Sequence, residues 1–223
     1  NNRYKYRLAP GLARRYNRGM PTRNSRKEYA PDTYYHVYSR GLNKQPIFFD
    51  EQDFSVFLGY LKRYLSYEAS KRPNRKPVRS FAGDIDLLSY CLMRNHVHLL
   101  FYQHEDERAL SALLQRVFTV YSMYFNKKYT RVGPVFQSRY LASRIDNDPY
   151  LHHISRYIHR NPKIWSEYEF SSLRYYTGEA YADWVKPGAI LELFDNSPKQ
   201  YLEFVASMDE DDEETIVDFM AHE

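Results

Sequence analysis

The chain has 223 residues, of which 43% are hydrophobic and 27% charged, so it can bury a sizeable core in one catalytic-size domain with extensions or in two small domains. No run approaches the roughly 20 apolar residues that span a bilayer, the basic start lacks the apolar stretch of a signal peptide, and one cysteine, Cys91, excludes an intrachain disulfide or a Cys-rich zinc module. Residues 209–223 hold eight acids and no Lys or Arg, which leaves a net +12 on residues 1–208. A basic body with an acidic tail favours a polyanionic partner. The 23 tyrosines suit stacking on bases as well as a core with wet edges. A reducing cytoplasm is expected.

Residues 1–27 carry nine Lys or Arg and no acid, and Pro10, Gly11, Gly19 and Pro21 interrupt any helix. A basic arm over 1–30 is expected. The aromatic and β-branched run 33–39 reads as a strand, broken by Gly41-Leu42-Asn43. Asp50 caps a helix predicted over 51–70, with Phe54, Phe57, Leu58, Leu61 and Leu65 on one face. A basic loop follows over 71–80. Strands over 85–93 and 96–102 are joined only by Arg94-Asn95, so they are antiparallel neighbours. A second helix over 107–127 carries Leu110, Leu113, Leu114, Val117, Val120, Tyr121 and Tyr124 at helical spacing. A Gly/Pro loop leads to a fourth strand over 138–145. Pro149 opens a third helix over 149–160, which Asn161-Pro162 stops.

The order β-α-β-β-α-β followed by a helix is the ferredoxin-like unit, an α+β fold with an antiparallel sheet and helices on one face. Its expected extent is 31–163. Past Lys163 an aromatic-rich stretch and two short helices, over 189–194 and 198–208, form an extension over 164–208 packed on the body. An acidic tail over 209–223 closes the chain.

His96 and His98 flank Val97. Alternate residues of a strand share one face, so both imidazoles leave the same side of the sheet within reach of one divalent ion. Two histidines make an incomplete site. Tyr157 and Asn161 stand four apart on the third helix and share a face. The Asn161 amide oxygen is a candidate third ligand, and the Tyr157 hydroxyl a candidate reactive group. Tyr150 lies seven residues earlier on that face and is a rival. His153 stands four before Tyr157. His36, on the first strand, reads as a core or surface residue.

The stretch Tyr90-Cys91-Leu92-Met93-Arg94-Asn95-His96-Val97-His98-Leu99-Leu100 resembles the HUH signature of the IS200/IS605-like single-tyrosine transposases, in particular their REP-associated branch. Tyr35-His36-Val37-Tyr38-Ser39-Arg40-Gly41, Gly133-Pro134-Val135-Phe136-Gln137-Ser138-Arg139-Tyr140 and Arg156-Tyr157-Ile158-His159-Arg160-Asn161-Pro162 resemble three further segments of that branch in the same order. The resemblance covers about residues 34–208. It implies a transposase-like endonuclease and strand transferase acting on single-stranded DNA near a hairpin. Mg²⁺ or Mn²⁺ would sit on His96, His98 and Asn161, and Tyr157 would form a 5′-phosphotyrosine intermediate. Arg94, Asn95, Lys127, Lys128, Arg139, Arg144, Arg156 and Arg160 are the expected DNA contacts. The alternatives are a catalytically idle hairpin-binding regulator of the same fold and an RNA-binding ferredoxin-like module. The second would want stacking rings where this chain has His96 and His98. Monomer and homodimer both remain open.

Overall fold

The structure is a computed structural model, and it describes residues 29–67, 79–145 and 148–207. The basic arm up to Glu28, most of the basic loop (68–78) and the acidic tail lie outside the described residues. Four strands, β1 (Thr33–Arg40), β2 (Ile85–Met93), β3 (His96–Gln103) and β4 (Leu141–Ile145), form one antiparallel sheet in the order β2-β3-β1-β4. Between them run α1 (Glu51–Leu65) and α2 (Ala109–Lys128). After them come α3 (Asp148–Arg160), α4 (Leu173–Tyr176), α5 (Gly188–Leu191) and α6 (Pro198–Ala206). The ferredoxin-like order read from the sequence is the order observed.

Strand alternation divides the buried residues into two cores. Tyr35 and Val37 of β1, Leu87, Tyr90 and Leu92 of β2, and Val97, Leu99 and Phe101 of β3 pack with the apolar faces of α1 and α2. Tyr34 of β1, Leu88 and Cys91 of β2, and Leu100 and Tyr102 of β3 pack with Leu151, Ile154 and Ile158 of α3 and with α4–α6. The ferredoxin unit puts α1 and α2 on one face, as expected, and α3 with the extension covers the other. The connecting segment wraps the β2 edge. Leu92 N–H donates to the Phe170 carbonyl, Ser172 N–H to Tyr90 and Lys186 N–H to Leu87, which satisfies an edge that would otherwise be open. Trp184 stacks on Tyr90 at 5.9 Å.

Several boundaries differ from the periodicity, two of them by three residues or more. The first helix stops at Leu65 rather than 70, because Ser66 turns extended and its carbonyl takes the Ser80 hydroxyl. The fourth strand starts at Leu141 rather than 138, since only from there does it pair with β1 at Tyr38. The last helix ends at Ala206. Asp50 is the N-cap of α1: its side chain accepts from Asp53 N–H, and the Asp53 carboxylate accepts from Asp50 and Phe49 N–H. At Gly41, just past β1, a Cβ would stand 2.1 Å from the Gln45 carbonyl oxygen, so only glycine lets the chain fold back there.

Candidate active site

The site lies where the α3 face of the sheet meets the end of α3. The β1/β3 register sets Tyr38 opposite His98 and Arg40 opposite His96. Side chains of His36, Tyr38, Arg40, His96 and His98 therefore leave the sheet on one side. His96 and His98 do share a face, with ring centroids 5.1 Å apart and edge-to-face. The Tyr157 ring stands edge-on to His98 at 5.2 Å and to His36 at 6.3 Å. Asn161 follows the last residue of α3, and its Oδ1 lies 3.0 Å from His96 Nε2. The carbonyl end of a helix favours a cation, and α3 ends here.

Hydrogen bonding constrains the imidazoles further. His96 Nδ1 is 2.7 Å from Asn95 Oδ1, and the Asn95 amide is oriented because its Nδ2–H₂ donates to the Lys44 carbonyl. Hence His96 carries its proton on Nδ1 and donates it to Asn95. Its Nε2 lone pair then faces the Asn161 oxygen. Two lone-pair atoms at 3.0 Å repel unless a proton or a cation lies between them. A second proton on His96 is disfavoured, because burial pushes its pKa below the ordinary histidine range. The arrangement fits a cation, or else an Asn161 amide turned over to donate.

His98 is completely buried, and burial, with His36, His96 and Arg40 around it, holds it neutral well below the usual pKa. Its Nδ1 is 3.0 Å from His36 Nε2 in a stacked pair at 5.2 Å. Its Nε2 has no hydrogen-bond partner. A cation at Nε2 selects the tautomer in which His98 donates from Nδ1 to His36. That leaves the Nε2 lone pair as a ligand atom. Metal-binding histidines are commonly held this way, through the other ring nitrogen. Among the described residues, no group of three or more His, Cys, Asp or Glu is arranged to hold a metal ion. The third member of the set proposed from the sequence is an amide.

The eight expected DNA contacts separate. Arg94 is exposed at the β2–β3 turn, and Asn95 next to it orients His96. Arg160 sits beside Asn161 with its guanidinium 5.4 Å over Trp165. Lys127 and Arg139 are exposed. Arg144 pairs in register with Tyr35 and so leaves the sheet on the α1/α2 face, away from the histidines. Two are corrected. Lys128 is engaged by Asp50 at 2.7 Å and Asp53 at 2.8 Å. Arg156 is 2% exposed, lies 4.1 Å over the Phe204 ring and bonds His153 Nδ1 at 2.9 Å, so it anchors α6 rather than meeting phosphate. His36 is the residue that sequence reasoning underrated, because its link to His98 crosses strands.

His159, fully buried on α3, bridges Tyr201 of α6 and Ser172, both at 2.7 Å. Ser172 Oγ in turn accepts from Tyr90 N–H. This knot ties the extension, the inner side of α3 and β2 together.

No helix among the described residues is long and apolar enough to cross a membrane. No curated protein matches the chain. A solved structure described as that of the REP-associated tyrosine transposase bound to a REP hairpin aligns at 15% identity over 77% of this chain and 90% of that one, with a TM-score of 0.49. Residues 78–161 match the model of the family described as "Transposase IS200 like". The matched span contains β2, β3, α2, β4 and α3, and so what this chain has in common with the IS200-like transposases is the segment that brings His96, His98, Tyr157 and Asn161 to one place.

Proposed function

We propose that the protein is a metal-dependent single-stranded DNA endonuclease and strand transferase, transposase-like, that nicks near a hairpin through Tyr157. The observation that carries this reading is the meeting of the His96 Nε2 lone pair with Asn161 Oδ1 at 3.0 Å, one helical turn from a tyrosine ring packed on His98 at 5.2 Å. The family match over the same residues and the net charge of the body support it.

His96, His98 and Asn161 would hold Mg²⁺ or Mn²⁺. When bound, that ion neutralises charge on the phosphoryl oxygens and polarises the phosphorus. The chain's own residues do the rest. Asn95 fixes the proton of His96, and His36 is placed to accept the Nδ1 proton of His98, which presents both Nε2 lone pairs. Tyr157 and Asn161 ride on one rigid element, which sets the separation of hydroxyl and amide. The Tyr157 oxygen attacks phosphorus, the P–O3′ bond breaks, and the proton lost by the phenol balances the one gained by the 3′ oxygen. The phosphotyrosine conserves the bond energy, so the 3′-OH can attack it again on the same or another strand without ATP.

The test is covalent adduct formation on single-stranded hairpin libraries. The parent with Mg²⁺ or Mn²⁺ yields a free 3′-OH fragment and a protein–DNA adduct that maps to Tyr157, and EDTA stops both. Tyr157→Phe removes one oxygen, keeps the fold and loses both products, while Tyr150→Phe retains them. An adduct on Tyr150, or cutting with no adduct, overturns the assignment.

A further inference from the structure

Arg40 is the last residue of β1 and stands opposite His96 in the β1/β3 register. Its side chain leaves the sheet on the histidine face. The guanidinium carbon lies 5.3 Å over the ring of Tyr38. That ring is itself 4.8 Å from His98 and 5.9 Å from His96. The charged end of Arg40 is therefore part of the wall of the site. Its positive charge is one of the influences that lower the pKa of both His96 and His98.

Among the described residues no carboxylate forms an ion pair with Arg40, and its buried Nε has no hydrogen-bond partner. Two cations elsewhere show the contrast: Arg79 pairs with Asp84 and Asp106, and Lys128 with Asp50 and Asp53. The backbone on both sides of Arg40 is pinned. Gln137 N–H donates to the Arg40 carbonyl at 2.8 Å, and Gly41 N–H donates to the Asn95 carbonyl at 2.8 Å. Holding a half-buried guanidinium with an unbonded Nε costs free energy. That cost is recovered when an anion with two acceptor oxygens arrives in the plane of the guanidinium. The ligand set proposed beside it contains no carboxylate, so the site as a whole lacks negative charge, and its ligand must bring it.

We propose that Arg40 is the anion-binding residue of the active site, and that it grips the non-bridging oxygens of the phosphodiester to be cut. This rests on the DNA-nicking reading above. In that reaction, charge grows on the non-bridging oxygens as the Tyr157 oxygen approaches and O3′ departs. A preset guanidinium is then worth more in the transition state than in the bound ground state. No redox partner or further reactant is needed.

The experiment compares the parent, Arg40→Ala and Arg40→Lys on one hairpin-flanked single-stranded oligonucleotide. The position cut by the parent carries either the ordinary phosphodiester or an uncharged methylphosphonate. Cut strand and covalent adduct are read separately in single-turnover, and oligonucleotide affinity is measured alongside. On the phosphodiester, Arg40→Ala should cut about 100-fold or more slowly with affinity within a few-fold of the parent, and Arg40→Lys should fall between. On the methylphosphonate, where there is no negative charge left to hold, Arg40→Ala and the parent should react alike. A phosphodiester rate unaffected by Arg40→Ala overturns the proposal. So does the same 100-fold loss on both substrates, which would make Arg40 a structural residue. Cut strand without adduct defeats the Tyr157 reading alone, because the rate ratio between the two substrates still judges Arg40. A parent that cuts neither strand nor forms adduct overturns both.

Discussion

The two faces of the sheet bury polar groups on opposite terms. On the α1/α2 face the fully buried carboxylate is Asp53, and every direction around it is satisfied: Phe49 N–H at 2.8 Å, the Lys128 ammonium at 2.8 Å, and the hydroxyls of Tyr124 and Tyr129 at 2.9 and 2.7 Å. The rest of that face is aromatic packing, with Phe48 on Phe54 at 4.3 Å and Phe57 on Tyr121 at 5.1 Å. On the α3 face, His98 is buried just as deeply, yet its Nε2 has no partner, and Arg40 beside it has a buried, unbonded Nε. Native structures rarely leave such atoms bare, and those that do concentrate them where a ligand completes the bonding. Ser39 Oγ and Tyr90 Oη on the α1/α2 face also lack a hydrogen-bond partner, but the buried charge of that face is finished by the chain itself. The other face is built to be finished by something that binds.

The largest effect should follow from breaking the finished face. Phe57 is fully buried against Phe48, Phe118 and Tyr121. Phe57→Ala should cost about 3–5 kcal/mol of stability, measured by urea unfolding. The unfinished face should behave differently. His36→Phe keeps a ring of similar size and removes the hydrogen-bond partner of His98 Nδ1. Stability should change little, while Mn²⁺ affinity, followed by electron paramagnetic resonance without DNA, should drop about 10- to 100-fold. If His36→Phe binds Mn²⁺ as the parent does, His36 is only packing.

A smaller effect on the α3 side is read by pH. His159 lies on the α3 side, and burial holds its pKa at about 3 against the ordinary 6.5. A histidine kept neutral on folding contributes stability that is present above its unfolded pKa and lost as pH falls from about 6.5 toward 3, at about 1.4 kcal/mol per pH unit. His98 adds to the same acid limb. His104 acts in the opposite sense: the hydrogen bond it donates to the Asp86 carboxylate raises its pKa, so its contribution is present below 6.5 and fades as pH rises through the folded value. His159→Gln should reduce the slope of stability against pH between 6 and 4 by about one proton. An unchanged slope would place the acid sensitivity elsewhere.

The order of elements along the chain, both central helices and the His96/His98 pair were legible because each is a local pattern: period two in the strands, period 3.6 in the helices. What the sequence concealed lies between elements. His36 meets His98 diagonally across β1 and β3, and only the strand order makes them neighbours. A signal was present even so, since His36 alternates with Tyr34 and Tyr38 and the ferredoxin order sets the first strand against the third. Arg156 looked like a phosphate contact until Phe204, 48 residues further on, closed over it. Lys128 was claimed by Asp50 and Asp53 from the far end of α1. Charge in a sequence marks a candidate, and its partner in space decides whether it is free to bind.

The smallest effect concerns which face the DNA follows. Arg94 is exposed at the β2–β3 turn beside Asn95 and His96, whereas Arg144, also exposed, leaves β4 on the α1/α2 face. Both carry one positive charge, so net charge alone predicts equal losses. A contact is different from a distant charge, because each phosphate neutralised releases counterions from the strand. The logarithm of affinity then falls against the logarithm of salt with a slope of about 0.7 per contact for single-stranded nucleic acid. Arg94→Ala should flatten that slope by about 0.7 and weaken binding a few-fold near 0.1 M salt, whereas Arg144→Ala should leave the slope as it is. The measurement is fluorescence anisotropy of a labelled hairpin oligonucleotide across a salt series with the Tyr157→Phe protein, so that no strand is cut. Equal flattening by the two variants would mean that the strand wraps both faces, and the distinction between a finished and an unfinished face would then hold for the chemistry and not for the binding.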